Sequence, residues 1–356
     1  MQTIKKNQKV VSIIWGYSKH MYGFSPEENY HLHFLKVAKE LGFAPYIIVK
    51  DKENVENDPN FDKDIRVIEY RNIFNFIWQI IKFSLQNSLF YVNSYEWQSF
   101  IVPFLSRRTI FMAHTQPKRQ TIKKQKIQNF VYKFFTTIRL NNETERDFLI
   151  EQGTDPKKLF VVPLIVSQNI FKLINTKLNT RKDLVYFGNV AEKKNLSTVL
   201  KALKIIVETG IELKLNVIGN IWDKSFKIEI KELGLEDNII IHGYLPQDEK
   251  LNRILNNVLI SVNSSLDEGQ CVAVYDTALS GNVLCLPHIM SFNGVFNNKA
   301  LFHDVHDHEK LAENILYYLN NPNIIEQYQK KCIEMIKTNY SINIIENKLK
   351  YLISKI

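Results

Sequence analysis

The chain has 356 residues, 45% apolar and 23% charged, with 46 Lys and Arg against 37 Asp and Glu for a formal net charge of +9. That length exceeds what one hydrophobic core usually supports, so two domains are expected, and the ordinary apolar content excludes a disordered chain. The three cysteines, Cys271, Cys285 and Cys332, form no C-x-x-C pair, which excludes a structural zinc site or a disulfide framework and fits a reducing, cytoplasmic interior.

The N-terminus is basic, but its apolar run VVSIIW is short and leads into Gly16 with no small-residue cleavage pattern, so it reads as a first strand. No window holds ~18 uncharged apolar residues, which excludes a spanning helix. The positive excess by itself does not choose between nucleic acid, anionic lipid and a phosphorylated ligand.

Residues 9 to 115 alternate short β-rich runs with helical patterns. Strands are expected at 10–15, 45–50, 65–70, 88–94 and 109–114, and a helix where Leu32, Leu35, Ala38 and Leu41 recur at helical spacing. A basic stretch follows at 118–135: Lys118, Arg119, Lys123, Lys124, Lys126 and Lys133, with no acid, beside Ile127, Phe130, Val131, Phe134 and Phe135. A proline, asparagines and charges at 163–183 suggest a linker. Alternation resumes with strands at 184–190, 213–219, 238–244, 257–265 and 282–287, and the tail from Glu309 reads as helices broken near Asn321-Pro322. This pattern predicts two doubly wound α/β, Rossmann-like domains facing a cleft: 1–170, a linker at 171–182, 183–335, and a C-terminal helix over 336–356 packing back on the first domain.

In such sheets ligands bind just beyond the carboxyl ends of the strands. There the most specific stretch is SVNSSLDEGQCVAVYDTALSGNVLCLP: a strand ending near Ser264, a turn with Asp267, Glu268 and Gly269, and a helix from about Gln270 to Leu279 stopped by Gly281. A loop feeding a helix N-terminus suits a diphosphate, and carboxylates beside it accept hydrogen bonds from sugar hydroxyls. Glu268 and Asp276 are eight positions apart, about 80° off a common line on one helix at ~100° per residue, so they converge only if Glu268 lies in the loop. Taken singly, each acid reads better as an ordinary charged residue, Glu268 near a helix start and Asp276 facing solvent.

The segment resembles the E-x7-E signature of GT-B-fold retaining glycosyltransferases of family 4, E-G-x-G-x-x-x-x-E-A-x-A-x-G-x-P-V, with Glu268, Gly269, Asp276, Ala278, Gly281 and Val283 in register. The resemblance implies that Glu268 binds donor-sugar hydroxyls and Asp276 the ribose hydroxyls, with Gly269, Gln270 and Cys271 at the donor. Asp replaces the second Glu, and Cys271 the second glycine. LVYFGNVAEKKNLSTVLKAL resembles the family's strand, glycine and basic pair: Gly188 is the glycine and Lys194 the diphosphate-binding lysine, while Asn189 stands at the arginine position. Either Lys193 compensates or the donor is held differently. As a plain sequence feature, Lys193-Lys194 is equally a solvated helix start.

VVPLIVSQNIF resembles the segment closing the first domain, and LKLNVIGN with NIIIHGYLPQDEKLNRIL resembles the strand pair whose second loop, at His242, Gly243 and Tyr244, meets the nucleobase. The resemblance covers roughly residues 160 to 290.

In the first domain, His114 ends a strand where family members often carry a donor-contacting histidine, although a hydrogen-bonded strand-end histidine fits as well. Gly16, Lys19 and His20, after the first strand, are acceptor-side candidates. The basic amphipathic stretch 118–135 suits an anionic membrane surface, giving a cytoplasmic protein peripheral to the membrane. No RNA-binding motif accompanies it, so no nucleic-acid partner is expected.

The reaction expected is transfer of a hexose or similar sugar from a nucleoside diphosphate, UDP first, with retention, to a saccharide or lipid-linked acceptor, as in polysaccharide biosynthesis. Glu268, His114 and Lys194 are the catalytic candidates, with no metal or other cofactor and no covalent nucleophile. A non-catalytic partner subunit and a nucleotide-sugar epimerase of the same fold remain alternatives, and a basic nucleic-acid-binding protein is the remaining class.

Overall fold

The computed structural model describes residues 8–14, 29–58, 61–93, 97–113, 122–166, 168, 170–174, 177 and 180–356. The chain divides into two compact units, 1–165 with 342–356, and 166–341.

The first unit holds strands β1 (Lys9–Ile14), β2 (Ala44–Val49), β3 (Arg66–Glu69), β4 (Leu89–Asn93), β5 (Thr109–Met112), β6 (Thr137–Leu140) and β7 (Leu159–Val161). Between them run α1 (Tyr30–Glu40), α2 (Lys52–Glu56), α3 (Ile73–Ser84), α4 (Val102–Leu105), α5 (Ile122–Tyr132) and α6 (Glu143–Glu151). The sheet order is β3-β2-β1-β4-β5-β6-β7, every pair parallel. Parallel strands are covered on both faces, so their sequences read as continuous apolar runs. Val10 and Ile14 pack with Leu35 and Val37 on one face, Val11 and Ile13 with Phe76 and Ile80 on the other.

The sequence reading passed over β6 and β7. Both are short, and Arg139 interrupts the apolar pattern of β6. The fold gives each nitrogen of that buried guanidinium an acceptor: Nε donates to Val162 O at 2.7 Å, and its two terminal nitrogens donate to Tyr91 Oη and Pro163 O, each at 2.8 Å. A charge so paired is tolerated where an isolated one is not.

The second unit holds β8 (Leu184–Phe187), β9 (Leu215–Ile218), β10 (Ile239–Gly243), β11 (Ile260–Val262), β12 (Val283–Pro287) and β13 (Leu301–His303). Its helices are α7 (Leu196–Glu208), α8 (Ser225–Glu232), α9 (Glu249–Asn257), α10 (Val272–Leu279), α11 (Met290–Phe296), α12 (His308–Asn320) and α13 (Pro322–Asn339). The order is β10-β9-β8-β11-β12-β13, again all parallel. The α7 and α12 side chains fill one face; α9, α10, α11 and α13 fill the other.

The expected linker is part of this unit. Phe171 is buried, the Lys172 and Ile174 amides donate to Asn252 Oδ1 and Asn256 Oδ1 at 3.2 and 2.7 Å, and the buried Arg181 donates twice to Val258 O. The boundary therefore falls at 165/166, with the backbone at Lys172 and Ile174 held by the asparagines of α9. At the other end α13 continues through 336, and α14 (Ile342–Ser354) joins the first unit. There Ile345, Leu349, Leu352 and Ile353 are buried in the α1 face of the core, and Lys350 pairs with Glu40 at 2.8 Å. Among the described residues no helix is long and apolar enough to cross a membrane.

In the basic stretch, Val131 and Phe135 are core residues, whereas Ile127, Phe130 and Phe134 are exposed beside exposed Lys126 and Lys133. Lys118 and Arg119 lie outside the described residues.

Candidate functional site

The strand order of the second unit reverses between β8 and β11, and at such a switch point ligands bind beyond the carboxyl ends of the strands. The loop after β8 carries Gly188, Asn189, Lys193 and Lys194; the loop after β11 carries Asn263 to Cys271. Each enters a helix, α7 and α10.

The two loops are tied together. The Leu266 amide donates to Lys193 O at 2.9 Å, and Ser264 Oγ donates to Asn195 O at 2.7 Å and Lys194 O at 3.1 Å. Asn195 turns through the left-handed region (φ +51°), and its side-chain amide donates to Ser264 O at 3.2 Å and Val305 O at 2.6 Å. Asparagine tolerates that conformation because its short amide bonds locally. The outcome is an ion pair between Lys194 Nζ and Glu268 Oε1, with Ser265 Oγ donating to the same carboxylate oxygen at 2.7 Å. Lys194 and Glu268 retain 14% and 8% side-chain exposure, so the pair sits in a setting drier than a surface salt bridge.

Glu268 lies in the loop, ahead of α10, which begins at Val272 with Cys271 as a cap lacking a side-chain bond. The helix starts two residues later than expected because Gln270 and Cys271 belong to the turn. Its end is as read: the chain reverses at Gly281, φ +82°. Asp276 is wholly buried on α10, which overturns the solvent-facing alternative. Burial and the Glu268 carboxylate hold the Cys271 thiol up at about 12, with a smaller push from Asp276, so both acids act on that one neutral thiol. Burial first, then Cys271 and Glu268, also raise the Tyr186 phenol, whose Oη donates to Asn189 O at 3.0 Å. Gly269 is buried and Gln270 half-buried in the same turn.

The Asn189 amide oxygen is turned to the neighbouring loop: Oδ1 accepts the Asn220 amide at 3.1 Å, binding the β8 loop to the β9 loop. His242 on β10 is half-buried, its Nε2 2.9 Å from Asn216 Oδ1 on the neighbouring strand β9, and burial lowers its pKa. Gly243 O accepts the Gly219 amide at 2.7 Å, and Tyr244 beyond it is exposed. These three line the end of β10, two strands from the Lys194–Glu268 pair.

Sequence reasoning missed Asn195, Ser264, Ser265 and His303. The signal available was the polar triplet Asn263-Ser264-Ser265 directly after an apolar strand. Asn263 O meets His303 Nε2 at 3.0 Å, anchoring the turn to the end of β13. His114, Gly16, Lys19 and His20 lie outside the described residues. Among the described residues no group of His, Cys, Asp and Glu is arranged to hold a metal ion.

Residues 168–338 match the family described as Glycosyl transferases group 1. The chain is 26% identical over 154 residues to protein CapJ of Staphylococcus aureus, a match spanning 43% of this chain and 38% of CapJ, so well under half of that relative's length is covered. Three solved structures are similar over nearly the whole chain. Anabaena HepE in complex with UDP and glucose has a TM-score of 0.77 at 12% identity, covering 98% of this chain and 100% of that one. A glycosyltransferase from Rickettsia africae has 0.76 at 16% identity, covering 99% of each chain. Sucrose-phosphate synthase from Thermosynechococcus elongatus has 0.74 at 13%, covering 98% and 99%. Lys194 and Glu268, at the switch point between β8 and β11, lie inside the stretch that matches the Glycosyl transferases group 1 family, just under half of the chain, and the chain has the GT-B fold of the similar structures.

Proposed function

We propose that the chain transfers a sugar from a nucleoside diphosphate, UDP first, to a cell-envelope or glycoconjugate acceptor, with retention at the anomeric carbon. The Lys194–Glu268 pair at the switch point carries this reading. A diphosphate arriving at the N-terminus of α10 offers Lys194 a second anion, and Glu268 is then released to accept hydrogen bonds from donor-sugar hydroxyls. Charge that develops on the departing diphosphate falls to Lys194, Lys193 and the first amides of α10. The end of β10 at His242 to Tyr244 is assigned to the base and His114 to the sugar or diphosphate, while Asp276, wholly buried, reaches the ribose only if the turn before α10 opens on donor binding. The HepE structures with UDP, and with UDP and glucose, support UDP as the first donor to test.

One observation favours a second reading. Asn189, at the family's arginine position, is spent on Asn220, as in a donor site that has lost catalysis and survives in a partner subunit. Thermal-shift measurements with UDP-, GDP- and CDP-sugars, followed by assays for nucleotide release and for epimerised donor, separate the cases. Stabilisation with UDP release supports transfer; stabilisation with neither release nor epimerisation supports the partner subunit. No stabilisation by any nucleotide would sink both.

We also propose that α5 and its neighbours rest on an anionic membrane surface. The exposed Phe134 ring meets those of exposed Phe104 and Phe130, with centroids 4.7 and 5.2 Å apart, beside exposed Lys126 and Lys133. Such a pairing of aromatic and basic side chains suits the interfacial region of a bilayer. The full chain is expected to sediment with phosphatidylglycerol-containing vesicles, less so at high salt, and Phe130→Ser with Phe134→Ser to abolish it. Equal binding to neutral vesicles counts against the basic component.

A further inference from the structure

The β8–β9 ladder does not stop with the sheet. Beyond Phe187 and Ile218 the two loops remain zipped: the Gly188 amide donates to Ile218 O and the Val190 amide to Asn220 O, each at 2.8 Å. The Asn220 amide donates to Asn189 Oδ1 at 3.1 Å, and the Trp222 and Asp223 amides donate to Val190 O at 2.9 and 3.1 Å. Val190 and Ile221 form a bridge. This extension fixes Trp222 with 56% of its surface exposed. An exposed indole on a backbone held in this way is uncommon unless something covers it in use.

Trp222 lines a depression of about 480 Å³ with Ala191, Glu192, Asp223 and Ser225. That size lies within the roughly 300–1,000 Å³ of small-ligand sites. Ser225 donates to Asp223 Oδ1 through both its amide, at 2.9 Å, and its hydroxyl, at 2.6 Å, which holds the carboxylate in place. An indole face with carboxylates at its edge suits a pyranose. The electron-rich ring attracts the sugar's C–H face, and the carboxylates accept hydrogen bonds from its hydroxyl or amino groups. The same carboxylates repel phosphates and uronates.

We propose that Trp222, Glu192, Asp223 and Ser225 form a saccharide subsite for a neutral or amino-bearing sugar unit, with Trp222 as its platform. Only the assignment of that sugar to the acceptor rests on the glycosyltransferase reading. Asn189 is then a positioning residue: its amide holds the loop that presents the indole.

The test follows the Trp222 indole N–H resonance, identified by its loss in Trp222→Phe, in the full chain titrated with chitotetraose, its de-N-acetylated cationic form, tetragalacturonate and UDP. The first two are expected to shift it saturably, tetragalacturonate to bind roughly tenfold more weakly, and Trp222→Ala to lose affinity by roughly tenfold. Glu192→Gln and Asp223→Asn are expected to weaken the cationic tetramer more than the neutral one, and they keep the test decisive if Trp222→Ala misfolds. No saturable shift with either favoured probe overturns the proposal, as does equal binding of tetragalacturonate. UDP shifting the indole and displacing chitotetraose overturns it too, making Trp222 a nucleobase platform. Sugar binding that persists while every transfer assay fails overturns the glycosyltransferase reading alone.

Discussion

Lys194 and Glu268 are each other's partner in a setting too dry for water to replace a missing charge cheaply. Lys194→Met and Glu268→Gln are each expected to cost about 1–3 kcal/mol, with the double variant costing less than their sum. Urea unfolding of the four proteins measures this, and strict additivity would show the pair to be uncoupled. In transfer assays both single variants are expected to lose roughly a hundredfold or more in kcat/KM. His303 tests the pH response of the anchoring turn. Burial holds it below its ordinary value of 6.5, so below that pH the unfolded chain binds the extra proton more readily than the folded one. Stability is thus expected to fall as pH drops through 6.5 and below, by at most about 1.4 kcal/mol per pH unit from this group. Comparing wild type with His303→Gln at neutral and mildly acidic pH isolates the contribution; identical pH slopes would remove His303 as its source.

At the scale of elements, the site depends on how β8 and β9 continue past the sheet. Gly219, at φ +136°, has no room for a side chain: a Cβ would lie 2.1 Å from Gly188 O. Backbone cannot yield there as a flexible side chain would, so Gly219→Ala is expected to cost about 3 kcal/mol or more and to loosen the Trp222 and Lys194 loops together. A calorimetric midpoint unchanged by that substitution would show the two loops to be independent of each other. The sequence located α10 well because its apolar run, the acidic turn before it and Gly281 after it are local signals. It did not reveal that Asp276 faces inward. Helical spacing relates side chains on one helix, and only packing against the sheet decides which side is the core.

At the scale of the molecule, the C-terminal helix α14 completes the core of the first unit across a long stretch of intervening sequence. Its four buried aliphatics, Ile345, Leu349, Leu352 and Ile353, are worth roughly 2 kcal/mol each, comparable in sum to the ~5–15 kcal/mol of a whole domain. Truncation after Ser341 is therefore expected to leave the first unit unfolded while 166–341 keeps cooperative unfolding, as limited proteolysis would show. A truncated chain resisting protease throughout contradicts this. By itself the sequence determined two parallel α/β sheets, short of the strands β6, β7 and β13, and the acidic loop before α10, because periodicity, turn residues and helix stops act between near neighbours. It could not decide the Lys194–Glu268 pairing, the diversion of Asn189 to Asn220, the absorption of the expected linker into the second unit, or the return of α14. Each joins residues distant along the chain, and which partners meet is chosen only when the sheets close and the buried polar groups must be satisfied.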